Sequence, residues 1–290
     1  MDEAVESVWA HWHAHPDALI GLAALQGAYL LIVGPLRERH RLADYVDPRQ
    51  AATFTAGVLV IFVAIASPIH VLSDSYLFSV HMLQHVLLTL VAPPLLILGT
   101  PDWVIRPLLR PNWAFRMARV ATFPVVAFAL FNLIFSMWHI PAIYNTSVTH
   151  HWVHIGEHLV FIGAATLMWW PIVSTMPELP RLSYPFQLAY LFLLSVAQLI
   201  LFAPITFSKE PLYEWYVNAP RIWDVSPLVD QQIGGIIMKM GGAAIFMPLI
   251  IVTFFRWFSQ EEKRTRTEAS EREGHGYYSP DRPELEDTPT

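Results

Sequence analysis

Residues 77–98 read LFSVHMLQHVLLTLVAPPLLIL. None of these 22 residues is Asp, Glu, Lys or Arg, and roughly 20 mostly apolar residues in a helix are what a bilayer crossing requires. His81 and His85 stand four apart in the first half, and Pro93 and Pro94 interrupt the second. Both prolines lack an amide donor and the second crowds the preceding turn, so the helix must bend there. The stretch therefore reads as a membrane helix with imidazoles toward one end and a kink just beyond them.

Six more stretches of like length and composition flank it. The expected spans are about 17–36, 50–68, 77–98, 121–139, 151–172, 185–207 and 232–257. The whole chain of 290 residues is 54% hydrophobic and 14% charged, against about 25% charged in soluble domains. The deficit is deeper than the average conveys, because 15 of the 42 charged residues lie from Arg256 onward. Seven buried helices of a soluble bundle would show charged outer faces, and these segments have none. The expected architecture is an all-α integral membrane protein in three parts. Residues 1–16 form a histidine-containing segment, 17–257 a membrane domain of seven transmembrane helices, and 258–290 a disordered tail too poor in apolar residues to offset the entropy of ordering.

Cytoplasmic loops retain Lys and Arg. Of the 18 basic residues, 15 fall in the odd-numbered loops and the C-terminal segment, while Lys209 and Arg221 fall on the opposite side and Lys239 inside the last span. This asymmetry predicts the N-terminus outside and the C-terminus cytoplasmic. Asp2, Glu3 and Glu6 precede the first apolar run where a secretory signal would carry basic residues, so no cleavable peptide is expected. Cysteine is absent, which excludes disulfides, thiolate metal sites, CxxC redox chemistry and thiol nucleophiles. A net charge of −6 without a basic block gives no footprint for nucleic acid. No Ser/His/Asp order, phosphate loop or HExxH motif is visible, and the chain is not expected to be an enzyme.

Eleven of the 13 histidines fall on the predicted outer side. His11, His13 and His15 precede the first span, His70 follows the second, and His81 and His85 lie in the outer half of the third. His139 ends the fourth span, and His150, His151, His154 and His158 open the fifth. Residues four apart share a helix face, so His81 and His85 project together with Gln84 beside them. His150, His154 and His158 form a second stripe, flanked by Glu157. Ionisable groups at this depth are costly in lipid and must face the bundle interior, paired or liganded. Two converging imidazole pairs make a metal site. His70 and His139, taken singly, read as hydrogen-bonded contacts between helices. Imidazole suits copper, zinc, iron and nickel, and thioether sulfur from Met82 or Met137 would add a preference for reduced copper, although a methionine in a span commonly serves packing.

Asp230, Gly234 and Met238 share one stripe of the last span, where glycine permits close helix approach. Asp230 is expected either to orient a histidine ligand from behind or to cap a helix. Lys239, about 10 Å into the bilayer, needs a partner, and Glu157 is one candidate. Trp138, Trp152, Trp169, Trp170 and Trp257 near span ends read as an interfacial aromatic belt.

Several short stretches together resemble one family. His81-Met82-Leu83-Gln84-His85, followed by Ala92-Pro93-Pro94-Leu95-Leu96 and Gly99-Thr100-Pro101, is similar to the signature of the seven-span CtaG-type (caa-type) cytochrome c oxidase assembly factors. So are Trp138-His139-Ile140-Pro141 with Tyr144-Asn145, Glu157-His158, Trp170-Pro171 and Asp230-Gln231-Gln232-Ile233-Gly234-Gly235. The resemblance spans about residues 60–255, departs from the pattern at Lys239, and is not to the single-span, cysteine-dependent copper chaperone that shares the name. It implies a role in building haem–copper cytochrome c oxidase in a bacterial cytoplasmic membrane, supplying copper to oxidase subunits and receiving it from an extracytoplasmic copper donor. His81, His85, His139, Glu157, His158 and Asp230 match the family's motifs, and His154 joins the metal ligands by spacing alone. Gln84, Met82 and His150 are expected to assist. On this reading the HxHxH segment is dispensable when copper is replete. Three other readings remain open: a b-type electron carrier with a single haem between two helices, a copper transport or resistance protein, and a scaffold for oxidase subunits.

Overall fold

Proline opens helix after helix. Pro16, Pro48, Pro68, Pro124, Pro141 and Pro227 each stand first in one, where a missing amide hydrogen costs nothing because the first turn has no carbonyl to receive it. In order the elements are α1 (Pro16–His40), α2 (Pro48–Ala66), α3 (Pro68–Ser75), α4 (Phe78–Gly99), α5 (Asn112–Ala121), α6 (Pro124–Trp138), α7 (Pro141–Thr149), α8 (His151–Val173), α9 (Tyr184–Phe207), α10 (Glu214–Asn218) and α11 (Pro227–Gly276). Short helical turns at Asp102–Ile105 and Arg106–Leu109 link α4 to α5. The computed structural model describes residues 16–276, and no strand occurs among them. His11, His13 and His15 lie outside the described residues.

Six helices, α1, α2, α4, α8, α9 and α11, are long and apolar enough to cross a membrane, making this an integral membrane protein. A seventh crossing exists if α5 and α6, bent by 71° to one another, count as one. The span expected at 121–139 is thus represented by the 15 residues of α6. Proline disfavours helical backbone in the residue before it, and Phe123 before Pro124 is extended (φ −61°, ψ 128°), which breaks what hydropathy alone reads as continuous. At the other end, α11 runs past the expected span limit of 257 to Gly276. The disordered tail expected from residue 258 is therefore helical over its first part, where Arg266 pairs with Glu262 and Arg264 with Glu268 at helical spacing.

Helix α4 lies at the centre. Its first half packs on α11, and its second half packs on α2 and α8. The prolines act as expected on its hydrogen-bond ladder, which rearranges into a π-helical turn at Leu87–Val91 just before them. Pro93 cannot donate to the carbonyl of Thr89, four residues back. That oxygen instead accepts the indole N–H of Trp169 at 3.0 Å, as a buried backbone acceptor in a membrane protein must. Trp169 and Trp170 are consequently buried, Trp170 donating to the carbonyl of Leu179, and neither belongs to an interfacial belt. Trp152, by contrast, is exposed.

Candidate metal centre

The position of α4 is set from α11. A helix N-terminus leaves four amide hydrogens without intrahelical acceptors and favours a carboxylate. Leu77 before α4 has no side chain that can cap, and Asp230 of α11 fills the role, accepting from the amides of Phe78 at 2.7 Å and Ser79 at 3.1 Å. Four residues on, Gly234 makes the approach possible. A Cβ there would fall 2.5 Å from a ring carbon of Phe78. These two contacts aim the first turns of α4, and with them His81 and His85, into the bundle.

His81 and His85 are fully buried, with their Nε2 atoms 2.9 Å apart. Two nitrogens bound to one tetrahedral ion at about 2.0–2.1 Å lie about 3.3 Å apart, so the spacing is close to that of a shared ion. From α8, Glu157 brings Oε1 to 3.6 Å from His85 Nε2. His158 completes a group in which His81, His85 and His158 each offer one nitrogen within 4.8 Å of the others. The other oxygen of Glu157 accepts the hydroxyl of Ser147 on α7. His139, at the end of α6, stands with its ring centroid 5.4 Å from that of His85, its Nδ1 held by the carbonyl of Phe135 at 2.6 Å.

The hydrogen on His81 is placed by Tyr216. That hydroxyl donates to the carbonyl of Ser73 at 2.6 Å, so its oxygen can only accept from Tyr144 at 3.0 Å and from His81 Nδ1 at 3.2 Å. His81 therefore carries its hydrogen on Nδ1 and presents a bare Nε2, the arrangement in which a hydrogen-bond partner orients a metal ligand. Burial raises the phenols of Tyr144 and Tyr216 well above the ordinary tyrosine value, so both stay neutral at physiological pH.

A second group adjoins the first on the α3 side. Asp74, His81 and His154 each offer one ligand atom within 4.8 Å of the others. The Oδ2 of Asp74 lies 3.5 Å from both His154 Nδ1 and His70 Nε2, and its Oδ1 accepts from Ser73 at 3.1 Å. Gln84 fixes His70: its amide nitrogen donates to the carbonyl of Ala64 at 2.8 Å and meets His70 Nδ1 at 3.2 Å. A mostly apolar cavity of about 490 Å³, walled by residues of α1, α2 and α8, reaches His70, Asp74, His154 and His158.

Of the expected residues, His81, His85, His154, Glu157, His158 and His139 are brought together. Others are not. His150 stands before the first turn of α8 in extended backbone (φ −122°, ψ 105°), exposed and bonded through Nδ1 to Thr146 and Thr149, so the helical stripe starts one residue too late to include it. Met82 points away into an apolar cluster with Phe78, Tyr213 and Met238, and Met137 is exposed. Asp230 acts by capping α4, without a histidine bond. Lys239 donates to the carbonyl of Ser195 at 2.9 Å rather than to Glu157. Asp74, Ser147 and Tyr216 also belong to the cluster, unexpected from the sequence, whereas His70, expected as a hydrogen-bonded contact between helices, makes such a contact with Gln84. They come from short segments outside the long spans, and the signal for Asp74 was its i,i+4 spacing from His70.

Fold and site together define a polytopic helical membrane protein with a buried histidine–carboxylate cluster held between α3, α4, α6 and α8. More narrowly, the chain belongs to the cytochrome c oxidase caa3 assembly factor family, whose model matches residues 27–260. Similar curated proteins include an uncharacterized protein of Mycobacterium bovis and one of Mycobacterium tuberculosis, each 27% identical over 265 residues. Another, of Mycobacterium leprae, is 26% identical over 263 residues. Each alignment covers 85% of this chain and 40% of the relative, so the chain spans well under half the length of these relatives. No solved structure matches significantly.

Proposed function

We propose that this protein binds a copper ion at His81, His85, Glu157 and His158, with His139 beside them, and delivers it to cytochrome c oxidase subunits during assembly. The observation that carries the reading is a set of buried ligand atoms without a hydrogen-bond partner, His139 Nε2, Glu157 Oε1 and His158 Nε2, beside the paired Nε2 atoms of His81 and His85. A buried polar atom left unsatisfied costs about 1–3 kcal/mol. Several in one place are accounted for by a ligand that engages such donors, and imidazole with carboxylate suits copper. The absence of thiolate favours release over retention. The role is non-catalytic. The basic asymmetry supports an outer N-terminus and a cytoplasmic C-terminus in a bacterial cytoplasmic membrane, and on this reading an extracytoplasmic donor loads the site.

The test is the copper content and visible spectrum of detergent-purified protein beside its His85→Ala/His158→Ala variant. We expect bound copper in the parent, its loss in the variant with unchanged membrane insertion, and lower assembled oxidase in cells carrying the variant. Full copper binding by the variant would refute the site. A Soret band in the parent would replace copper with the haem reading.

A further inference from the structure

Two groups of ligand atoms share His81. Its Nδ1 hydrogen is committed to Tyr216, so one nitrogen, Nε2, has a lone pair to offer. A single lone pair serves one ion at a time. We infer that the cluster is one carrier with two alternative positions: an outer one at Asp74, His154 and His81, and an inner one at His81, His85, His158 and Glu157, between which an ion passes by ligand exchange on His81. This rests on the copper reading above and deepens it by assigning a loading position to Asp74 and His154.

The chemistry of the two positions differs in the direction such a transfer needs. The outer one opens on the apolar cavity, and the side chain of Asp74 is 27% exposed, so a cation arriving there meets a carboxylate first. At the inner one His81, His85 and Glu157 are fully buried, so an ion there is out of reach of water. His158 lines the cavity as well as belonging to the inner group, and so stands beside the path between them.

The outer carboxylate is held ready by a chain of hydrogen bonds whose polarity can be assigned. Gln84 presents its amide nitrogen to the carbonyl of Ala64, which leaves the other N–H for His70 Nδ1. His70 must then carry its hydrogen on Nε2, facing Asp74 Oδ2. His70 is thus a positioning residue for Asp74. No step involves redox change: the ion leaves Asp74 and His154 as bonds to His85 and His158 form, and the hydrogen that His85 Nε2 donates to His81 before the ion arrives moves to His85 Nδ1, which has no hydrogen-bond partner, so that both rings stay neutral.

The experiment uses copper(I) with the full-length protein in detergent, measuring stoichiometry by metal analysis and loading and release rates by competition with a chromophoric copper(I) chelator. We expect one copper per chain in the parent and in Asp74→Asn, with loading and release in the variant slowed about tenfold or more. Should Asp74→Asn fail to fold, His154→Gln, which leaves Asp74 with His70 and Ser73, carries the same expectation. Two coppers per parent chain, or unchanged rates in the variants, would overturn the two-position carrier while leaving the copper reading intact. No copper in the parent would remove both.

Discussion

At one end of the bundle the histidines lie inside the protein, and at the other the arginines lie outside it. His70, His81, His85, His139 and His154 are buried, and their partners include a hydroxyl, carboxylates, the Gln84 amide, the Phe135 carbonyl and one another. Arg39, Arg41, Arg49, Arg110, Arg116, Arg119 and Arg181 are exposed, and the pair Arg106–Glu178 lies at the surface. The arginine end is instead closed by backbone. The hydroxyl of Tyr29 donates to the carbonyl of Gly99 at 2.8 Å, and its ring stacks on Phe54 at 3.8 Å. The two ends divide the labour: close packing at one secures the helices, so the other can hold ligand atoms that the fold itself leaves unsatisfied.

The sharpest way to break this division is at Gly99. A Cβ there would lie 2.3 Å from the amide nitrogen of Phe54 and 2.6 Å from its Cα, atoms that cannot rotate aside. Gly99→Ala should cost about 3 kcal/mol, the upper part of the usual overpacking range, read as a lower unfolding temperature in detergent. Copper bound per folded chain should be unchanged, and a change there would mean the two ends are coupled.

Next in size is Glu157→Gln at the opposite end. The amide keeps the shape and the contact with Ser147 but removes the charge beside His85, so copper affinity should fall about 10–100-fold with no loss of thermal stability. A large stability loss with affinity intact would show that Glu157 is a structural group. Tyr216→Phe removes the oxygen that holds the His81 hydrogen on Nδ1, and chelator competition should read an affinity drop near the lower end of that range, about tenfold. The smallest effect belongs to Arg264→Ala. Arg264 pairs with Glu268 on the exposed extension of α11, where ion pairs contribute little, and both unfolding temperature and copper content should stay at the parent values.

Hydropathy and spacing in the sequence determined that this is a helical membrane protein, where its long helices run, and that His81, His85, His154, Glu157 and His158 belong together. Those features are local: twenty apolar residues make a span wherever they occur, and four residues make one turn. Hydropathy could not register the bend of 71° between α5 and α6, because it averages over the proline that breaks the backbone. The tertiary structure decided which partners meet. Asp74, Tyr216 and Ser147 come from α3, α10 and α7, segments too short to be read as spans, and meet the cluster through His154, His81 and Glu157, while α4 itself is capped by Asp230 from a helix some 150 residues later. Such contacts depend on distances between helices, which a chain of side-chain types does not encode locally. For the same reason His150, four residues from His154, falls outside the cluster: its backbone lies before the first turn of α8, and the periodicity that binds the others does not yet apply.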